Sequence, residues 1–282
     1  CFHMNPTYQG DISLSANCSV LSTVTVAAGS TLSITGIGAE KAAIDGGWDG
    51  VTSSNIGDVV NYMFQNQGTL KLTRIILTML KSGTVIYNSG SSLWSVVLSN
   101  SIISNNDAAG ISGYYGDGSI AITNSMISHG ATAVTMRDGS ATITDSVITE
   151  NSGYAIQMST DNGKNATMTV TNSDIMNNVQ GIYLSAKSMR STITNPSPHD
   201  MPGFPTLIMS GCKVSGNGNS YSEWGGFKVL IGNMGGHCNT NPCAHHYDLY
   251  KPTLTLDNCV VANNSGTKGG GFQIQSGIVN IA

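Results

Sequence analysis

The amino-acid sequence predicts an all-β protein made of repeated coils, and three observations carry this prediction. An apolar pattern recurs along the 282 residues, residue types that suit tight corners follow each apolar pair, and the composition is poor in helix formers. Charged residues make up only 10% of the chain, and 34 glycines stand against 7 prolines. Long helices normally carry many Lys, Glu and Ala residues, so this composition favours strands and turns.

The recurring pattern has apolar residues at positions i, i+2 and i+7, a short polar residue at i+4 and a small residue at i+5. In the stretch ITNSMISHG, Ile122 and Ile127 are five positions apart, a spacing that points them to opposite faces of a straight strand. Asn124 and Ser125 lie between them, and both types accept the left-handed conformation or bond their own backbone. A corner at this point turns both isoleucines inward. Six copies fit, beginning at Val96, Ile120, Ala141, Met168, Leu207 and Leu254, and a weaker seventh begins at Leu70.

The copies predict a solenoid. Their starts are 24, 21, 27, 39 and 47 residues apart, and the shorter steps suit one coil of a parallel β-helix. Each copy carries a further strand with period two, such as Ile156 and Met158. Five of the six copies have asparagine at i+10, which predicts a ladder of side-chain amides along the axis. These residues are Asn106, Asn151, Asn178, Asn217 and Asn264.

We expect one β-helix domain over residues 1–282, in which residues 1–50 form an opening or capping segment. Two stretches interrupt the repeat and predict inserted loops at about 186–206 and 231–253. Loops of this length in a compact fold usually carry a function or bind a partner.

The motifs STLSITGIGAEKAAIDGG and GTLKLTRIILTMLKSG, together with the N-S-x-I-x-x-N corners, resemble extracellular right-handed parallel β-helix proteins. The chain looks like the pectate-lyase-like superfamily, in the surface-protein branch that includes the polymorphic outer-membrane proteins. The segments GGGF and WGGF match the G-G-A-[ILV] signature of that branch loosely. The resemblance implies a right-handed parallel β-helix in an extracellular setting more firmly than it implies an activity.

Six cysteines pair by position into three predicted disulfides, Cys1–Cys18, Cys212–Cys259 and Cys238–Cys243. Cys212 and Cys259 both occupy i+5 of neighbouring copies, and coils about 4.8 Å apart lie within the Cα separation that a disulfide accepts. The alternative is six buried free thiols. Disulfides imply an oxidising compartment.

Three N-x-S/T sequons predict N-linked glycans at Asn17, Asn165 and Asn263. Asn165 lies in a polar connection and Asn263 lies at a corner, so we expect both side chains to be exposed. With the cysteines, the sequons predict a protein that is secreted or displayed at the cell surface.

Charge and hydropathy exclude several classes of partner. The net charge is only −4, and no cluster of Lys or Arg indicates nucleic acid or an anionic membrane. No apolar run reaches about 18 residues, so no membrane-spanning helix is predicted. No signal peptide is visible in a chain that begins at Cys1, and no cofactor is predicted.

An enzyme is the first alternative, because the resembled superfamily includes polysaccharide lyases and hydrolases that act with carboxylates from neighbouring coils. The outward positions i+1 and i+3 contain one carboxylate, Asp257, whereas glycoside hydrolysis needs a pair and Ca²⁺ needs several oxygens. Asp145 and Asp174 lie near each other in the repeat, but Asp145 fills a corner position. We expect no catalytic residues here.

His129, with Arg137 downstream, is another catalytic candidate. It occupies i+9, a corner position filled by Glu150 in the next copy. A contact between His129 and Glu150 is therefore the predicted role of this histidine.

Two further alternatives concern metal and ice. The loop HCNTNPCAHHYD offers zinc-ligand types, yet its C-x₄-C spacing is not a common finger spacing and favours the disulfide. Stacked T-x-T strands resemble the surface of ice-binding solenoids, although Val97, Ala121 and Ile208 interrupt them. The loop candidates are His237, Cys238, Cys243, His245, His246 and Asp248, and the threonines are Thr142, Thr144, Thr169 and Thr171.

The sequence therefore predicts a non-enzymatic, secreted structural glycoprotein, either a head-to-tail fibre or a cell-surface component. The segment GGGFQIQSGIVNIA stops within a coil, which predicts self-association end to end or continuation past Ala282. The alternative function is a β-helix that binds or cleaves polysaccharide.

Overall fold

The computed structural model describes residues 8–20, 22–46, 61–89, 93–114, 117–160, 164–186, 203–231, 251–275 and 277–282. These residues form 28 strands in three sheets, and no helix occurs among them. Every pairing between these strands is parallel, and each coil adds one strand to each sheet. The predicted parallel β-helix is confirmed.

The first sheet contains the strands that open each copy of the template. Its ten strands stack in the order β1 (Gly10–Leu14), β4 (Thr31–Gly36), β7 (Thr69–Thr73), β10 (Ser95–Ser99), β13 (Ser119–Thr123), β16 (Gly139–Thr144), β19 (Ala166–Thr171), β22 (Pro205–Ser210), β25 (Thr253–Asp257) and β28 (Ile278–Ile281). The strands of the predicted opening segment therefore stack in register with the later coils.

The second and third sheets complete each coil. The second sheet stacks β2 (Cys18–Ser19), β5 (Ala42–Asp45), β8 (Ile75–Thr78), β11 (Ile102–Ser104), β14 (Met126–Ser128), β17 (Val147–Thr149), β20 (Asp174–Met176), β23 (Lys213–Ser215) and β26 (Val260–Ala262). The third sheet stacks β3 (Val24–Val26), β6 (Tyr62–Asn66), β9 (Thr84–Ser89), β12 (Ala109–Tyr114), β15 (Val134–Met136), β18 (Tyr154–Thr160), β21 (Gln180–Ala186), β24 (Phe227–Ile231) and β27 (Phe272–Ile274).

The core is a column of stacked apolar side chains enclosed by the three sheets. Ile122 and Ile127 are both buried, as the template predicts. The connections between the third sheet and the next first-sheet strand carry the long insertions. The predicted loops join β21 to β22 and β24 to β25, and residues 187–202 and 232–250 within them lie outside the described residues.

The corners between sheets are made by single residues in the left-handed conformation. Asn124 has φ of 47° at the first corner of its coil, and His129 has φ of 51° at the second. The first-corner series is Arg74, Asn100, Asn124, Asp145, Asn172, Gly211 and Asn258, and the second-corner series is Met79, Asn105, His129, Glu150, Asn177, Gly216 and Asn263. The predicted corner is confirmed, and a second corner of the same kind follows it in each of these coils.

A serine ladder lies inside the first corners. Each of its hydroxyls donates to the carbonyl two residues earlier, as Ser125 Oγ does to Thr123 O at 2.8 Å. Each also accepts the backbone N–H of the preceding coil, as Ser146 Oγ does from Ser125 N at 3.2 Å. The ladder consists of Ser101, Ser125, Ser146 and Ser173, all buried.

The predicted asparagine ladder lies inside the second corners and is confirmed over four consecutive coils. Asn151 Nδ2 donates to Asn178 Oδ1 at 2.8 Å, Asn178 Nδ2 to Asn217 Oδ1 at 2.9 Å, and Asn217 Nδ2 to Asn264 Oδ1 at 3.0 Å. Each Oδ1 also accepts the backbone N–H of the asparagine before it. Gly130 replaces asparagine in one coil and separates Asn106 from this run.

We expect Met79→Asn to stabilise the protein by up to about 1 kcal/mol, because an ordinary L-residue pays roughly that much in the left-handed region and asparagine pays less. Met79 has φ of 63°. The matched control is Met176→Asn, a half-buried position in strand β20, where asparagine should be neutral or destabilising. Urea unfolding of both variants measures the difference, and equal effects at the two methionines would contradict the corner argument.

We expect Asn178→Ala to cost about 3 kcal/mol, because it removes several hydrogen bonds and leaves buried backbone groups without partners. Asn178 is 1% exposed, and its Nδ2 donates to Ile148 O and Met176 O as well as to Asn217. Asn177→Gly, at the exposed left-handed position beside it, should change stability by less than about 1 kcal/mol. Equilibrium unfolding tests this; similar losses in the two variants would show that the ladder contributes nothing special.

Candidate functional site

The outer surface of the first sheet is lined with hydroxyl groups over eight consecutive rungs. Three outward residues per strand, from β4 to β25, form three columns along the axis, which we call the hydroxyl face. The first column is Thr31, Thr69, Ser95, Ser119, Ser140, Thr167, Thr206 and Thr253; the middle column is Ser33, Lys71, Val97, Ala121, Thr142, Thr169, Ile208 and Thr255; and the third column is Thr35, Thr73, Ser99, Thr123, Thr144, Thr171, Ser210 and Asp257.

Every residue of the hydroxyl face is half-buried or exposed, so its side chains point to solvent. Lys71 and Asp257 are its charged residues, and they lie near opposite ends. Hydroxyls stack directly in places, since Ser119 Oγ donates to Ser95 Oγ at 3.0 Å and Thr73 Oγ1 lies 3.2 Å from Ser99 Oγ. The register is residue for residue throughout, so the columns run straight.

The carboxylates considered for catalysis have structural positions. Asp145 has φ of 49° and fills the first-corner position that asparagine takes in the coils on either side. Its backbone N–H donates to Thr171 O at 3.1 Å. Asp174 begins β20 on the second sheet, where it pairs with Val147. The hydroxyl face itself holds the single carboxylate Asp257.

The predicted contact of His129 is confirmed. His129 Nε2 lies 2.7 Å from Glu150 Oε2, between the second corners of adjacent coils. Both side chains are about half exposed. Arg137 follows strand β15 at its far end and lies over the Tyr114 ring, 4.5 Å from the centroid. His129 precedes strand β15 and Arg137 follows it, so the two residues lie toward opposite ends of this strand.

An aromatic cluster on the outer side of the third sheet was not predicted from the sequence. Tyr154, Tyr183 and Trp224 stack with ring centroids 5.5–6.0 Å apart. Lys228 Nζ lies 3.8 Å from the centroid of the Trp224 ring, a cation–π contact. Trp224 is 5% exposed, and its indole Nε1 has no hydrogen-bond partner in the structure.

Glu223 links this aromatic cluster to two lysines. Glu223 Oε1 lies 2.7 Å from Lys268 Nζ, and Oε2 lies 3.5 Å from Lys228 Nζ. The hydrogen bond from Lys268 and its positive charge hold the pKa of the Glu223 carboxyl below its ordinary value. Burial raises the pKa of Tyr154, and the neighbouring Tyr183 and Glu223 raise it further. The cluster therefore combines ring faces with both signs of charge.

Cys18, Cys212 and Cys259 are free thiols in the structure, so the disulfides predicted for them are not formed there. Cys212 and Cys259 do face each other across adjacent coils, as predicted. Directly stacked residues have Cβ atoms about as far apart as the strands, roughly 4.8 Å, which exceeds the usual Cβ separation of a disulfide. The Cα separation alone therefore overestimates how well a disulfide fits between Cys212 and Cys259.

Cys212 instead continues the serine ladder. Its Sγ donates to Ser210 O at 3.2 Å, the bond that each ladder serine makes, and accepts the backbone N–H of Ser173. Cys259 Sγ repeats the bond to Asp257 O at 3.3 Å. Burial raises the pKa of the Cys212 thiol.

We expect Cys212→Ser to change the free energy of unfolding by less than about 1 kcal/mol, because serine makes the same ladder bonds, whereas Cys212→Ala should cost about 2 kcal/mol by leaving Ser173 N–H unpaired. Denaturant unfolding of the wild type is compared with and without reductant. If reductant lowers the free energy of unfolding of the wild type by several kcal/mol, and Cys212→Ser lowers it by the same amount, Cys212 is covalently linked to Cys259 instead.

The predicted glycosylation sites Asn17, Asn165 and Asn263 are all exposed. Asn17 Oδ1 accepts the backbone N–H of Ala43 at 3.0 Å, and Asn165 Oδ1 accepts that of Phe204 at 2.9 Å. In both cases the amide nitrogen that would carry a glycan is not used by the bond. Glycosylation at the three sites stays a prediction.

Several sequence predictions fall on residues that the structure does not describe. Cys1 lies there, as do Cys238 and Cys243 and the loop residues His237, His245, His246 and Asp248. Within the described ranges, no three His, Cys, Asp or Glu side chains come together as a metal site requires. The same ranges contain no helix long and apolar enough to cross a membrane.

Three parallel sheets, single-residue corners and internal ladders define a β-helix. A family model described as right-handed β-helix region matches residues 61–233, more than half of the chain, so this chain belongs to that family. No curated protein and no solved structure matches the chain.

Proposed function

We propose that this protein is a non-catalytic, extracellular structural β-helix that acts as a component of a surface or a fibre. The observation that carries the proposal is the hydroxyl face, which is repetitive over eight rungs and has a single carboxylate. Acid–base cleavage of a glycosidic bond usually needs two carboxyl groups about 5–9.5 Å apart. A surface of repeated hydroxyls suits extended contact with a large partner better than chemistry at one point.

The proposal includes export, N-linked glycans and end-to-end self-association. The exposed side chains of Asn17, Asn165 and Asn263 support glycosylation. Self-association is supported by the repeated parallel register, because each coil presents the same row of hydrogen-bonding groups to the next. Such head-to-tail contacts do not close and would build a filament.

The test is incubation of the purified chain with pectin, alginate and related polymers, assayed for new reducing ends and unsaturated products. We expect no turnover, together with concentration-dependent assembly in sedimentation velocity and filaments in micrographs. Turnover that disappears in Asp145→Ala or His129→Ala would overturn the non-catalytic role. Monodisperse monomers at high concentration would overturn the fibre.

The second candidate is a polysaccharide-binding β-helix, and the aromatic cluster favours it. The half-buried rings of Tyr154 and Tyr183, beside Lys228, Lys268 and Glu223, offer apolar contact and charge for an acidic sugar. In affinity electrophoresis with acidic polymers, this role predicts retardation that Lys268→Ala weakens. Lys213→Ala, an exposed lysine on the second sheet, is the matched control. Equal migration with and without polymer would exclude the second candidate.

A further inference from the structure

The hydroxyl face has a two-dimensional regularity that its role as an outer surface does not require. Parallel rungs lie about 4.8 Å apart, so hydroxyls within a column repeat at that distance. Neighbouring columns are two residues apart along the strand, which at about 3.3 Å per residue is about 6.6 Å. The first column carries a hydroxyl on all eight rungs, from Thr31 to Thr253.

These distances are close to those of tetrahedrally bonded water. Water oxygens joined by a hydrogen bond lie about 2.75 Å apart, so two oxygens that share a neighbour are about 4.5 Å apart, and the stacked layers repeat about every 7.3 Å. The spacing between rungs exceeds the corresponding spacing between water oxygens by about 0.3 Å, which adds up to about 1 Å over four rungs of a column. Rotation of the side chains can absorb a difference of that size.

The chemistry of the hydroxyl face matches the same partner. Each serine or threonine hydroxyl donates and accepts, as a water molecule does, and threonine adds a methyl group. Strands β16 and β19 carry hydroxyls in all three columns, ending with Thr144 and Thr171. From β10 to β22 the face has no charged residue, and no aromatic residue occurs on its eight rungs.

We propose that the hydroxyl face binds ice, by holding water in an ordered lattice across its three columns. This inference goes beyond the proposed structural function and does not depend on export or self-association. A crystalline polysaccharide is the competing partner. It is less well matched because flat sugar rings stack on aromatic side chains, and the hydroxyl face carries none. Among the described residues, the stacked tyrosines and Trp224 lie on or beside the third sheet.

The test measures thermal hysteresis and partition into a growing ice hemisphere, using the full chain and an equal concentration of serum albumin as the reference. We expect the wild type to show hysteresis and to enter the ice. The double variant Thr142→Tyr/Thr169→Tyr should lose both, because two bulky rings interrupt the middle column. Thr149→Tyr, on the outer side of the second sheet, should keep both.

A gain-of-function variant makes the test independent of damage to the fold. Ala121→Thr/Ile208→Thr extends the hydroxyls of the middle column to both sides of Thr142 and Thr169. Both positions face solvent, so the fold should be retained, and hysteresis should increase. Circular dichroism and the unfolding midpoint verify that each variant is folded.

Three results would overturn the inference. They are a wild type that behaves like albumin, an equal loss in Thr149→Tyr and in the double tyrosine variant, and no increase in the gain-of-function variant. Binding to crystalline cellulose or chitin that is abolished by the double tyrosine variant, without hysteresis, would assign the face to a polysaccharide. Since the turnover and assembly assays use other readouts, failure here leaves the proposed function standing.

Discussion

The left-handed residues of the first-corner and second-corner series are the constraint on which the rest of this structure depends. One residue with φ near 50° changes the direction of the chain within two positions, so a strand of the first sheet continues directly into a strand of the second. Because the two corners have this form in consecutive coils, those coils have the same length on that side. Equal length keeps the coils in register, and the register aligns both the buried ladders and the columns of the hydroxyl face.

The ladders show that the corner geometry admits more than one residue type at the position inside each bend. Serine at the first corner can be replaced by Cys212 and Cys259, which make the same bond to the carbonyl two residues earlier. Asparagine at the second corner can be replaced by Gly130, whose backbone N–H still donates to Asn151 Oδ1. Except at Gly130, each position carries a small polar side chain that satisfies backbone polar atoms turned inward at the bend.

Much of the fold could be predicted because its signal is local. The spacing between Ile122 and Ile127, with Asn124 between them, contains both the corner and the direction of the side chains. The coil of Leu32 and Ile34 was missed, because its first corner runs from Gly36 to Ala42 and breaks the i+7 spacing. The aromatic cluster was missed for a related reason. Tyr154, Tyr183 and Trp224 come together on and beside the third sheet, but each stands at a different position of its repeat, so no aromatic column shows in the sequence.

The hydroxyl face was predicted in part. The sequence drew attention to Thr142, Thr144, Thr169 and Thr171, and the apolar residues between copies argued against a continuous array. The column that begins at Thr31 lies one position before the template and so did not enter that comparison. The disulfide between Cys212 and Cys259 was predicted from strand spacing, which places the thiols correctly but does not settle whether their Cβ vectors converge.

The direction of the hydrogen bonds has a mechanical consequence. In a parallel β-helix the bonds between coils run along the long axis, so tension applied along that axis stretches the bonds of three strands together. Force applied to one end of the chain instead loads the bonds one after another and peels away a single coil. The molecule should therefore resist extension when the force is spread over all three strands of a coil. It should unravel at a lower force when it is pulled by one end of its polypeptide chain.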